Sequence, residues 1–93
     1  MATLDQTLVA GFWKCIENRN WEKADKVANY LISRRPKEPN GYQMKAVMLY
    51  EQHQYPAACR EAWKAIQRGG RHPKLLALYK ECCNLSTVRA AAR

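Results

Sequence analysis

Apolar residues recur at helical spacing along the chain, and short polar breaks with capping and helix-breaking residues separate the apolar segments. Thr3 with Gln6 forms a capping box, Asn20 can cap a second helix, and Pro39 suits the first turn of a third. Gly69 and Gly70 supply the left-handed stop of a fourth helix. The predicted helices cover about residues 3–18, 21–33, 40–53, 56–68 and 73–84, and Ser86 could cap a short sixth segment over residues 87–93.

One sequence offset relates the first half of the chain to the second. Placing Trp21 over Tyr55 gives an offset of 34 residues, since 55 − 21 = 34. The same offset aligns further pairs: Ala28 with Ala62, Ile32 with Ile66, Arg34 with Arg68, and Pro39 with Pro73. A fixed period of this length is typical of stacked helical repeats.

This period, with an aromatic residue opening the second helix and a proline near the repeat boundary, resembles the tetratricopeptide repeat. The resemblance implies an all-α fold, a tetratricopeptide-like stack of antiparallel helix pairs in a single domain over residues 1–93. Its repeats would cover about residues 3–36 and 39–70, with a half-repeat and tail over residues 73–93. The family's small residue on the first helix is Ala46 in the second repeat, but Phe12 replaces it in the first.

The length and composition indicate a cytoplasmic, soluble domain with a thin core. At 93 residues the chain is one domain, and two repeats with an incomplete third leave apolar surface that we expect a partner to cover. The N-terminus lacks the pattern of a signal peptide, and no apolar run is long enough to span a bilayer. The four cysteines lack the spacing of a disulfide framework, so reduced thiols are expected.

The first helices of the repeats are expected to line an apolar, aromatic groove that binds an amphipathic helix of a client protein. In the resembled family these helices face a concave surface, and their inward positions follow from the 34-residue register. Trp13 and Tyr50 are the expected hot spots. The alternative is that both are core residues at helical spacing. The expected groove residues are Val9, Trp13, Ile16, Gln43, Val47, Tyr50 and Ala77; they include no Lys or Asn of the kind that binds client carboxylates.

Basic residues also follow the repeat and should form one positive edge. The chain carries 16 Lys and Arg against 8 Asp and Glu, a net charge of +8. Such an edge could contact phosphates or an acidic protein, although solvated surface charge is the commoner explanation and nucleic acid is the less favoured partner. The edge comprises Arg34, Arg35 and Lys37 at the end of the first repeat, and Arg68, Arg71 and Lys74 at the end of the second.

Sequence motifs for catalysis, cofactors and metals are lacking. Cys59, Cys82 and Cys83 with His53 and His72 show no metal-ligand spacing, and Gly69-Gly70 lacks the Lys-Ser/Thr of a phosphate-binding loop. No nucleophile elbow or catalytic carboxylate pair is recognisable. A binding scaffold without cofactor or metal, and not an enzyme, is therefore expected.

The chain resembles the small tetratricopeptide-like co-chaperones of the bacterial type III secretion needle subunit. The resemblance rests on its short length, the segment Trp21–Leu31, the unit around Tyr55, and the half-repeat His72–Tyr79. It implies that the groove holds the C-terminal amphipathic helix of the needle subunit, that a second small helical co-chaperone packs alongside, and that premature self-assembly is prevented. The alternatives are a generic tetratricopeptide adaptor in another pathway and a nucleic-acid-associated helical repeat that uses the basic edge.

Overall fold

Five α-helices follow one another in the computed structural model, which describes the backbone of residues 4–91 and the side chains of residues 6–86. No strand occurs within the described backbone, so the all-α prediction is confirmed. The five predicted helices are present, with ends that differ by a few residues except in the last. The helices are α1 (Leu4–Glu17), α2 (Trp21–Arg34), α3 (Asn40–Glu51), α4 (Tyr55–Gln67) and α5 (Pro73–Ala91).

The turns that follow α1 and α3 have the same backbone conformation at the predicted offset. Arg19 has a φ of 57° and His53, 34 residues later, a φ of 61°. In each turn this residue donates its N–H to the carbonyl three residues earlier, and the next residue donates to the carbonyl five residues earlier, at 2.8–3.1 Å. This is the Schellman arrangement, which satisfies the last carbonyls of the helix and reverses the chain into a helical hairpin.

The turn after α4 uses the same motif with the residue that suits it best. Gly69 has a φ of 93°, which glycine adopts without steric cost. Gly70 is required for a different reason: a Cβ there would lie 2.9 Å from the carbonyl oxygen of Ala65 and 2.6 Å from the side chain of Leu75. The Gly-Gly stop is therefore confirmed, and Gly70 also permits the close approach of α5.

The helix starts agree with the predicted caps where the structure describes them. Asn20 Oδ1 accepts a hydrogen bond from the N–H of Lys23 at 3.4 Å, and Trp21 is the first residue of α2 as Tyr55 is of α4. Pro39 is the residue before α3. The predicted cap at Thr3 lies outside the described residues.

The prediction of a separate sixth segment over residues 87–93 was wrong for the part of it that is described. Helix α5 continues without a break from Pro73 to Ala91, and Ser86 lies inside it. No Gly or Pro occurs between Pro73 and Ala91, and the alanines and leucines of this stretch favour helix strongly enough to carry it past one serine. Residues 92–93 lie outside the described range.

The core consists of two clusters that follow each other along the stack. Phe12 packs with Ala24 and Ala28 in the first cluster, and Ala46 packs with Ala62 and Ala65 in the second. The alanine pairs are related by the 34-residue offset, and all of these side chains are fully buried. The large ring of Phe12 therefore takes the position at which Ala46 lets α3 and α4 approach closely.

Each helix packs mainly against the next one in sequence, which gives an elongated molecule of 49 × 29 × 21 Å. Helix α5 contacts α4 and, to a smaller extent, α3. Such a quasi-linear arrangement buries each repeat unit only against its neighbours. Stability is consequently distributed along the stack, and α5 depends chiefly on α4.

Two of the four cysteines form a disulfide, so the prediction that all four are reduced was wrong. Cys59 on α4 is bonded to Cys83 on α5, with 5.7 Å between the Cα atoms. The sequence separation of 24 residues matches no simple motif, and the pair meets only because α4 and α5 are antiparallel neighbours. Cys15 and Cys82 are free and buried, and burial raises the pKa of the Cys82 thiol to about 11.

Candidate functional site: a groove along the first helices

A groove of about 530 Å³ runs across α1, α3 and α5, the first helices of the repeat units. We call it the α1–α3–α5 groove. Its apolar and aromatic side chains lie along the middle, and charged side chains lie at its ends. The lining residues are Trp13, Gln43, Val47, Tyr50, Glu51, His72, Lys74, Leu75 and Leu78.

Four of the seven predicted groove residues meet in this groove: Trp13 on α1 with Gln43, Val47 and Tyr50 on α3. They converge because equal offsets place corresponding residues of stacked helices on one face. The register was therefore sufficient to find the walls formed by α1 and α3.

The other three predicted residues lie elsewhere. Val9 lines a separate cavity of about 190 Å³ beside Leu31 and Gly41, and Ile16 lines one of about 310 Å³ that shares Tyr50 with the groove. Ala77 is exposed and does not line the groove. Its methyl group is too short to reach across, so Lys74, Leu75 and Leu78 form the α5 wall instead.

Trp13 is the most exposed apolar side chain of the α1–α3–α5 groove. It is 39% exposed, and its ring meets that of buried Phe12 edge to face at 5.1 Å. Phe12 thus supports the tryptophan from beneath while the outer part of the indole faces solvent. A large, supported and accessible aromatic ring is the usual form of a binding hot spot.

Tyr50 connects two walls of the groove. Its hydroxyl donates a hydrogen bond of 2.8 Å to Glu81 on α5, and this bond, followed by burial and nearby negative charge, raises the pKa of Tyr50 to about 12. The ring also contacts Tyr55 at 5.6 Å, and the Tyr55 hydroxyl shares a hydrogen bond of 2.7 Å with His53 Nδ1. Tyr50 therefore presents its ring to the groove while its hydroxyl is held in place.

The two ends of the groove carry opposite kinds of side chain. His72 and Lys74 lie where α5 begins, whereas Glu51 lies at the end of α3 and Glu81 is the partner of Tyr50. Lys74 was predicted on the basic edge, and the expectation of a groove without lysine was wrong. An elongated ligand in this groove would consequently be oriented by charge.

The predicted basic edge is divided among several local interactions. Arg35 forms an ion pair of 3.1 Å with Glu38, and the Arg34 guanidinium lies over the ring of Tyr30 at 5.7 Å. Arg71 donates to the carbonyl oxygens of Ile66 and Gly70 at the end of α4. The exposed Lys37 lies in the same loop as Arg35.

Arg68 is the most structural of the predicted edge residues. Its guanidinium lies 4.1 Å from the centre of the Tyr42 ring, and its Nε donates to the carbonyl oxygen of Pro36 at 2.7 Å. It joins the loop after the first repeat to the end of the second. The guanidinium groups of Arg68 and Arg71 therefore contribute to the fold more than to a free positive surface.

Among residues 6–86, no group of three or more His, Cys, Asp or Glu side chains lies close enough to hold a metal ion. Within the described helices, none has both the length and the apolar character required to cross a membrane. The α1–α3–α5 groove is therefore the feature from which a function can be argued.

No family model, curated protein or solved structure matches the chain. Its function is consequently inferred from the groove, the repeat register and the surface of the helices.

Proposed function

We propose that this chain is a tetratricopeptide-like scaffold that acts as a chaperone by holding an amphipathic helix of a client protein in the α1–α3–α5 groove. The observation that carries the proposal is the grouping of Trp13, Val47 and Tyr50 with Leu78 along one groove. Helix-binding grooves use apolar anchors at this kind of spacing, and the supported, exposed Trp13 fits the part of the central anchor.

The repeat register supports a tetratricopeptide-like stack. Identical turns at Arg19 and His53, and equivalent buried alanines on α2 and α4, recur at 34 residues, which is the period of that family. The elongated shape is in keeping with such a stack. In this family the surface formed by the first helices is a usual site for a peptide.

By its resemblance to the type III secretion co-chaperones, we propose the needle subunit as client and the bacterial cytoplasm as the compartment. The chaperone would cover the helix through which the subunit polymerises and so prevent premature assembly. A second small helical co-chaperone would complete the complex. The charges of the groove favour a client helix with acidic residues near Lys74 and basic residues near Glu51.

The decisive experiment is a calorimetric titration of the chain with a synthetic peptide of the needle subunit's C-terminal helix. Trp13→Glu or Tyr50→Glu should weaken binding by roughly three orders of magnitude, because bound peptide would trap an unpaired carboxylate at a cost of several kcal/mol. The Tyr50 variant also places its carboxylate beside Glu81. Circular dichroism should show that both variants remain helical.

Trp63→Glu provides the matched control. Trp63 is 46% exposed, comparable to Trp13, but lies on α4 away from the groove. Its variant should bind the peptide as the original chain does. Equal losses for Trp13→Glu and Trp63→Glu, or normal binding by both groove variants, would exclude the groove as the client site.

A further inference from the structure

Each first helix presents one face to the second helix that follows it, and the 34-residue register identifies the corresponding face of α5. On α3 this face contains Tyr42, which is 9% exposed, and Ala46, which is fully buried; both pack in one cluster with Ala62 and Ala65 of α4. The same positions on α5 are residues 42 + 34 = 76 and 46 + 34 = 80.

These two positions on α5 are uncovered by any described helix. Leu76 is 42% exposed, and Lys80 is exposed as well. In place of the small Ala46, which lets α4 lie directly on α3, α5 presents the long cationic side chain of Lys80. A helix that covered α5 in the same way would have to supply a carboxylate for Lys80, because an ammonium buried without a partner is strongly destabilising.

An aromatic pair extends this face onto α4. The rings of Trp63 and Tyr79 lie 5.6 Å apart at an interplanar angle of 31°, and 46% of Trp63 is exposed. Tyr79 is three residues from Leu76 on the same helix, so the three side chains lie on one side of α5 and its junction with α4. Exposed apolar residues grouped in this way mark an interaction surface more often than isolated ones do.

The charges around Leu76, Tyr79 and Trp63 are positive. Lys80 lies one turn after Leu76, and Arg60 lies one turn before Trp63; neither forms an ion pair with a described residue. A second copy of the chain would bring the same cations against each other and adds a further net charge of +8. The charge therefore favours an acidic partner over self-association.

We propose that Leu76, Tyr79 and Trp63 form a docking surface for an acidic amphipathic helix of a partner protein, which places a carboxylate against Lys80. This surface, the α5 outer face, lies apart from the α1–α3–α5 groove and goes beyond the proposed client binding. It would extend the stack in the way that α4 extends it over α3.

Two synthetic amphipathic helices with the same Leu/Ala apolar stripe test this proposal, one flanked by Glu and the other by Lys. Each is titrated into the isotopically labelled full chain and followed by NMR. We expect the acidic helix to shift the amides of Leu76, Tyr79 and Lys80 and the indole N–H of Trp63, and the basic helix to leave them unchanged. The Leu76→Asp variant should lose the binding.

Charge reversal distinguishes a specific contact from the attraction of any basic protein for an acidic peptide. Lys80→Glu should weaken the acidic helix by about tenfold or more and allow the basic helix to bind. Lys23→Glu, on the exposed start of α2, changes the net charge equally and should alter the affinity less than about twofold. Trp13→Glu should leave this binding unchanged, which separates its result from that of the client test.

Three results would overturn the proposal. The first is the absence of binding by the acidic helix, and the second is equal weakening by Lys80→Glu and Lys23→Glu. The third is a dimer of the chain in sedimentation equilibrium that Leu76→Asp dissociates, since a second copy would then occupy the α5 outer face.

Discussion

The hydroxyl of Tyr50 on α3 donates a 2.8 Å hydrogen bond to the carboxylate of Glu81 on α5. The two residues are 31 positions apart and form a direct polar link between the second and third walls of the α1–α3–α5 groove. Because α5 otherwise depends chiefly on α4, this bond helps to fix the width of the groove. Its strength should depend on the protonation of Tyr50.

We expect the chain to lose stability in alkaline solution through Tyr50. Its pKa is raised from 10 to about 12, so the folded state favours the neutral phenol. The stabilisation is fully present below pH 10 and is lost as the pH rises through about 12. In urea denaturation, Tyr50→Phe should be less stable than the original chain by about 1 kcal/mol near neutral pH and should show a smaller decrease above pH 10.

Glu81→Gln is the complementary variant, because it removes the carboxylate that raises the pKa of Tyr50. Its alkaline transition should begin at a lower pH than that of the original chain. The raised pKa of Cys82 contributes a loss of the same sign, from its ordinary value of 9 to about 11, and this loss should persist in Tyr50→Phe. Identical alkaline profiles for all three proteins would contradict the assignment.

Arg68→Ala should destabilise the fold by about 1–2 kcal/mol. The variant removes the stacking on Tyr42 and the hydrogen bond to Pro36, both of which join the two repeats. Arg34→Ala is the control, since its guanidinium lies over an exposed ring on the same helix and should be worth about 0.5 kcal/mol or less. Equal midpoints of urea denaturation for the two variants would return Arg68 to the class of surface charge.

Replacing Arg19 by glycine should stabilise the chain by about 0.5–1 kcal/mol. Arg19 has a φ of 57°, a conformation that costs a side chain energy and glycine nothing. At the equivalent position, His53→Gly should give almost no gain, because it also removes the hydrogen bond to Tyr55. Thermal unfolding of both variants measures the difference, and a larger gain at His53 would contradict it.

Reduction of the Cys59–Cys83 disulfide should lower the free energy of unfolding by about 3 kcal/mol. The crosslink closes a loop with a sequence separation of 24 residues and restricts the unfolded chain. It also fastens α5 to α4, on which α5 depends. Denaturation with and without reductant measures the effect, and Cys59→Ser is the control: a further response of that variant to reductant would mean that other thiols are responsible.

Much of the architecture was predictable because it depends on local and periodic features. Asn20 as a cap, Gly69 as a stop and the 34-residue offset act within a turn or repeat equally along the chain, so helices α1 to α4 were found within a few residues. Trp13, Val47 and Tyr50 could be placed together since equal register positions share a face. The length of α5 was missed because a favourable cap residue such as Ser86 is also tolerated inside a helix when its neighbours favour helix.

The sequence by itself determined the helical class, the period and the register of the first helices, since these follow from spacing and from chemistry within a few residues. Only the tertiary structure decided which distant side chains meet. It joined Cys59 to Cys83, bound Tyr50 to Glu81, placed Lys74 in the groove instead of Ala77, and used Arg68 between repeats. Each of these depends on the angle and distance at which two helices pack, and packing is set by all the side chains of an interface together and not by any local pattern.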